Sequence, residues 1–193
     1  MSYPNYTLVP VESEDLPVLA QFLHSSKQAL SINRLIFLDW PNDKIQMRMY
    51  SGAVKGGFED PSIKNFKAVD NDTKEIIGYI AFAKKAVATK EEIEAQNKNF
   101  AEQKTPEGIN PPLFTPRIEL QRRGIGSSLV KLATDQAKEE NIPFTAFAEA
   151  PALGFFEKLG MQETRHVDID LRKYAAPNCG FGPFRLTGMI LNP

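Results

Sequence analysis

The chain has 193 residues, of which 42% are apolar and 24% charged, with a formal net charge of -1 at pH 7. That length suits one domain with a full core and leaves little room for two large ones, and the composition is globular rather than disordered. So small a net charge gives no general pull toward nucleic acid or an anionic bilayer, so neither is expected as a partner and phosphate binding has to be local.

The single cysteine, Cys179, has no partner for an internal disulfide, and no paired Cys/His spacing suggests zinc, so no metal is expected. Met1-Ser2-Tyr3-Pro4-Asn5 lacks a basic region followed by an apolar run, and no apolar stretch is long enough to span a bilayer; the expected location is the cytosol.

Residues 6–11 read as a first strand, and Glu12-Ser13-Glu14-Asp15 supplies a cap and an acidic first turn for a helix to about Ser25. Leu16, Leu19, Ala20 and Leu23 recur at helical spacing, so that face packs inward. His24, near the helix end, reads as a residue that favours a C-terminus rather than as a catalyst. Residues 27–58 read as one or two helices broken at Trp40-Pro41-Asn42-Asp43, with Pro41 in a first turn and Asn42 or Asp43 as cap. Their apolar side chains fit core packing better than a pocket wall.

Residues 64–70 and 75–84 look like two antiparallel strands joined by Asn71-Asp72-Thr73-Lys74, which has hairpin-turn composition. From 86 to 103 the sequence turns polar and helix-forming, then enters the proline-rich run of 105–112, so an exposed insertion and loop are expected over 86–112. Residues 113–120 make a doubtful strand because Pro116 cannot donate a ladder hydrogen bond.

The next eight residues are Gln121-Arg122-Arg123-Gly124-Ile125-Gly126-Ser127-Ser128. Two glycines one residue apart let the backbone turn sharply and approach a ligand closely. The helix start beyond them leaves N–H groups unpaired and carries the positive end of the dipole, which together favour an anion such as pyrophosphate. Arg122 and Arg123 add forked donors. The alternative is an ordinary strand-to-helix turn with solvated arginines. No P-loop spacing is present, and Leu129 stands where a dinucleotide fingerprint needs its third glycine.

The helix that follows carries Ile125, Leu129, Leu132, Ala133 and Ala137 on one face and ends at Asn141 and Pro143. Residues 144–148 read as a buried strand. A short helix comes next, with Pro151 in its first turn, Phe155, Phe156 and Leu159 inward, and Gly160 as a left-handed stop. Val167, Ile169 and Leu171 alternate with Asp168, Asp170 and Arg172, the pattern of a half-buried strand, and a last strand falls within 184–191. An exposed final strand would be able to pair between chains, which leaves monomer or homodimer open.

The order of elements, the run Gln121-Arg122-Arg123-Gly124-Ile125-Gly126 and the segment Phe155-Phe156-Glu157-Lys158-Leu159-Gly160-Met161 together resemble the GNAT superfamily of acyl-CoA-dependent N-acetyltransferases, most clearly over residues 117–171. The first run is similar to that family's Q/R-x-x-G-x-G/A acyl-CoA loop. The resemblance implies one acyltransferase-like α/β (α+β) domain over 1–193, built on a mixed, mostly antiparallel sheet with a central V-shaped splay and flanking helices. Acetyl-CoA would enter the splay as co-substrate, held by residues 121–128, by the strand residues Ile118 and Leu120, and by Phe156. The implied reaction is direct attack of an amine, from a small molecule or peptide, on the thioester.

Three departures from the family stand out. Phe156 occupies the place where the family often has a tyrosine general acid, and it carries no ionisable proton. Glu149 replaces the Asn or Ser often found after the preceding strand, and with Glu119 is a candidate base, against the plainer reading of Glu149 as a solvated or helix-start charge. Pro116 interrupts the strand that would polarise the carbonyl. A non-catalytic acyl-CoA-binding or interaction module is therefore the alternative function, and a nucleotide-binding domain fits less well.

Overall fold

The computed structural model describes residues 5–28, 30–84, 91, 94–95, 98, 104–113 and 127–193. The chain divides into two compact units, one made of residues 1–11, 65–82 and 121–193, the other of 12–64 and 83–120.

The first unit holds two three-stranded sheets. One has the order β1-β2-β3, with β1 Tyr6–Pro10, β2 Ile63–Asp70 and β3 Ile76–Ala83. The register between β1 and β2 is antiparallel and pairs Tyr6 with Asp70 and Pro10 with Phe66. The turn to β3 forms because the Asp70 carboxylate accepts the amides of Asp72 and Thr73 at 2.8 and 2.9 Å, while the Lys74 backbone takes φ 63°.

The other sheet has the order β4-β6-β5, with β4 Phe144–Glu149, β5 Gln162–Asp170 and β6 Pro183–Leu191, all antiparallel. Helix α4, Ser127–Glu139, precedes β4, and α5, Ala150–Lys158, follows it. Leu129, Val130 and Ala133 of α4, Ala148 of β4, Phe156 of α5, Met189 of β6 and Met161, just before β5, share one core cluster with Ala68 and Ile80. Fully burying an apolar side chain of this size contributes about 1.5–3 kcal/mol. The inward face of α4 therefore includes Val130 and Thr134 as well as the expected Leu129, Ala133 and Ala137, while Leu132 is only half-buried.

Both helices stop where their sequence says. Asn141 takes φ 53° and Ile142 donates back to Ala137 O at 2.9 Å; Gly160 takes φ 83° and donates to Glu157 O at 2.9 Å.

The closing strands differ from expectation. β6 is the central strand, bonded on both sides, so the final strand offers no free edge. Among the described residues β4 and β5 are the two outer strands; β5 begins at Gln162 and is exposed over most of its length, Val167 is 40% exposed, and Leu171 opens a 3-10 turn instead of extending the strand. Among the described residues β5 has a strand neighbour on one side only, and it is dressed with charge. Arg185 Nε and Nη2 fork onto the Asp168 carboxylate at 2.7 and 2.6 Å, which holds that carboxyl below the usual range, and His166 Nδ1 lies 2.9 Å from Glu163. Such charge discourages further strands from adding.

The second unit is helical. Helix α1, Leu16–Gln28, runs three residues past the expected end and packs on α3, Asp43–Glu59; the short α2, Asn33–Ile36, lies between them in sequence. Asn42 caps α3 by accepting the Ile45 amide at 3.2 Å, and Pro41 stands before the cap rather than inside the first turn. Leu19, Ala20, Leu23, Ile32, Phe37, Tyr50 and Val54 are buried. His24 is buried with them and does not serve the α1 C-terminus: its Nε2 lies 3.3 Å from Asp43 Oδ1 and 2.8 Å from Gln28 Nε2.

The described residues 91, 94, 95 and 98 are helical and exposed. The loop beyond them is tied down: Leu38 donates to Gly108 O at 2.9 Å, Asn110 to Ile36 O at 2.8 Å, and Ile109 and Leu113 are buried. Gly108 has φ 79°, and a Cβ there would lie 2.1 Å from Ile45 Cδ1.

Two stability predictions come from this unit. Gly108→Ala meets both backbone strain and Ile45 and is expected to cost about 1–3 kcal/mol, whereas Gly52→Ala, in the open on α3, is expected to gain about 0.5–1 kcal/mol; urea melts distinguish them. Tyr50 has no hydrogen-bond partner for its hydroxyl among the described residues, and burial pushes its phenol up to about 12. A folded pKa above the unfolded value gives stability that is complete below pH 10 and lost as pH rises from there toward 12. Tyr50→Phe is therefore expected to match or exceed the parent at pH 8 and to lose less stability between pH 8 and pH 11, measured by urea melts at both.

Candidate active site

Helix α4 is described from Ser127 and Ser128 onward, and a helix start leaves its first amides without intrahelical acceptors. The turn is fixed from two directions. Leu129 and Val130, 2% and 3% exposed, press the helix into the core cluster. From β1, the Tyr6 hydroxyl donates to Ser128 Oγ. The glycine turn itself, Gln121 through Gly126, lies outside the described residues, as do Ile118, Glu119 and Leu120.

Glu149 is the last residue of β4 and the N-cap residue of α5, in extended backbone geometry with φ -82° and ψ 159°. Its side chain makes no capping hydrogen bond and is 4% exposed, so the solvated reading fails, while its place at the start of α5 agrees with a helix-start charge. Pairing in the sheet places Glu149 opposite Leu186 and its neighbour Ala148 opposite the buried Thr187. Phe156, one turn from the end of α5, is 7% exposed and meets Phe155 edge-on, with ring centroids 5.2 Å apart and planes at 71°. It packs as a hydrophobic side chain.

Three candidates thus come from adjoining elements. Ser128 stands on α4, Glu149 on β4 and Phe156 on α5; α4 and α5 both contact β4, and all three elements contribute to one core cluster. Among the described residues no cluster of three or more His, Cys, Asp or Glu side chains is arranged to hold a metal, and no helix is long and apolar enough to cross a membrane.

One residue escaped the sequence. Tyr6 reads as an ordinary strand-forming aromatic, and its bond to Ser128 joins positions 122 apart, with no local signal to announce it.

Comparison with known proteins bears on this arrangement. Residues 118–161, which include the start of α4, Glu149 and Phe156, match the acetyltransferase (GNAT) family model. The fold is that of the GNAT acetyltransferases. Similar solved structures include an acetyltransferase of Corynebacterium glutamicum related to histone acetyltransferases, at 14% identity and TM-score 0.59, covering 98% of this chain and 97% of that one. A GCN5-related N-acetyltransferase from Rhodopseudomonas palustris aligns at 15% identity and TM-score 0.52, covering 100% and 99%. Spermidine N-acetyltransferase from Vibrio cholerae, in complex with CoA and spermine, aligns at 14% identity and TM-score 0.50, covering 97% and 95%. No curated protein gives a significant sequence match. The likeness to the GNAT fold spans essentially the whole chain, and the family model covers the segment from before the glycine turn to the end of α5.

Phe156→Ala is expected to cost about 3–5 kcal/mol in urea denaturation, because it opens a cavity where α5 meets the core. The half-buried Phe155 is expected to cost less on the same change.

Proposed function

We propose that this chain is an N-acetyltransferase that moves the acetyl group of acetyl-CoA onto an amine by direct attack. The observation that carries this reading is the GNAT segment of 118–161 on a GNAT fold, with the sequence Gly124-Ile125-Gly126 immediately before a helix whose flank is buried. In this reading the backbone amides from Arg123 through Ser128 hold the diphosphate, Gln121, Arg122 and Arg123 supply polar and charged contacts, and a strand amide within 118–120 polarises the thioester carbonyl.

The chemistry is compact. The neutral amine nitrogen bonds to the acyl carbon, the C–S bond breaks, the nitrogen gives up a proton and the CoA thiolate takes one. Glu149 is the base that the geometry favours: a carboxylate on the last residue of β4 and removed from bulk water. Glu119 is the other candidate. Phe156 has no proton to give, so water protonates the thiolate, and the ring supplies an apolar wall for the cofactor. The acceptor class extends to small polyamines, since a structure of the same fold is a spermidine N-acetyltransferase.

The absence of a hydroxyl at Phe156 is also the observation that favours a second reading, an acyl-CoA-binding module without turnover. One experiment separates them. Thiol release is followed with acetyl-CoA and a panel of polyamines, amino acids and peptides, alongside calorimetry with CoA. Amine-dependent release, reduced about 10²–10⁴-fold in kcat by Glu149→Gln with folding retained, is expected of the transferase. CoA binding with no release across the panel would favour the module.

A further inference from the structure

We propose that Tyr6 is a positioning residue for the diphosphate of the cofactor, acting through Ser128. This rests on the reading above of the α4 start as the diphosphate cradle, and it assigns a role to a residue outside the segment that matches the family model.

A serine hydroxyl has one proton to donate and two lone pairs to accept. The Tyr6 hydroxyl fills one of the Ser128 lone pairs, so the remaining Ser128 O–H is aimed elsewhere. A serine in the first turn of a helix otherwise turns toward nearby backbone groups, competing for the amides an anion needs. Held by Tyr6, Ser128 is restrained from that competition, and its proton joins the first-turn amides as a donor to a phosphate oxygen.

The tether is stiff. Tyr6 lies in β1, in register with Asp70 of β2, and its half-buried ring packs on the same core cluster that seats Leu129 and Val130. The tyrosine has only two side-chain torsions and both ends of the bond are fixed by packing, so little entropy is lost on holding the turn. Ser128 is thus restrained from β1 as well as from its own helix. The consequence is local to the diphosphate. The thioester end of the cofactor reacts elsewhere, so Tyr6 affects how well the cofactor is held and not how fast the bound complex reacts.

The test compares the full chain with Tyr6→Phe, Ser128→Ala, Ser128→Thr and the double variant Tyr6→Phe/Ser128→Ala, using CoA in calorimetry and acetyl-CoA and acetyl-pantetheine in thiol release. Tyr6→Phe is expected to weaken CoA binding and raise the KM for acetyl-CoA by about three- to tenfold, with kcat at saturation within about twofold. The KM for acetyl-pantetheine, which has no diphosphate, is expected to stay within about twofold. Ser128→Thr, which keeps the hydroxyl, is expected to retain affinity, and the double variant to bind as Ser128→Ala does. Equal CoA affinity in the parent and Tyr6→Phe overturns the proposal while leaving the acetyltransferase reading intact, as do additive penalties in the double variant or an equal penalty on acetyl-pantetheine. Failure of the folded parent to bind CoA removes the cradle and the proposal together. If Tyr6→Phe does not fold, Tyr6→Leu takes its place in the same comparison, with the same loss of CoA affinity expected and affinity equal to the parent overturning the proposal.

Discussion

The constraint on which this chain depends is the burial of one flank of α4. A helix start can offer unpaired amides to solvent or ligand only if the rest of the helix is prevented from fraying, and isolated helices of this length are marginal in water. Leu129, Val130, Ala133 and Ala137 meet that need by entering the core that β4, β6 and α5 also build. Removing apolar surface from water therefore fixes where the helix begins and which way its dipole points. The same packing fixes the neighbours: β4 ends at Glu149 and α5 starts beside it, so a buried carboxylate and a buried ring arrive within one supersecondary unit.

Much of that unit was legible in the sequence because its signals are local. The spacing of Leu129, Ala133 and Ala137 marks the inward face of α4, Asn141 and Gly160 mark two left-handed stops, and Pro151 marks the first turn of α5. The turn between β2 and β3 was readable for the same reason, since Asp70 through Lys74 carry their own hydrogen-bonding chemistry. Val130 and Thr134 were missed because periodicity ranks residues by type, while burial depends on which side the sheet lies.

What the sequence hid is of longer range. Strand order depends on pairing between distant segments, so nothing in residues 183–191 announces that β6 lies between β4 and β5. The partners of His24 are a glutamine on its own helix and an aspartate at the start of α3, a pairing set by how the two helices cross. Ile109, in a stretch that reads as an exposed loop, is buried because the backbone around it bonds to residues 36 and 38. The glycine turn and the strand before it lie outside the described residues, so their reading still rests on the motif and its family likeness.

A division of labour follows from which atoms do the binding. Backbone amides are the same whatever side chain they carry, so a cradle made of main chain needs only a turn, a helix and enough apolar residues to seat them. That is consistent with a fold shared at 14% or 15% identity, since many combinations of Leu, Val, Ala and Met can fill one core. Side-chain chemistry has no such freedom. A base has to be a particular group at a particular depth, and replacing a tyrosine by Phe156 removes a proton donor while hardly disturbing the packing. On the proposed reading, the parts of this chain that would hold the cofactor are built from geometry that many sequences can supply. The parts that would carry the reaction rest on single atoms, above all the buried carboxyl group of Glu149.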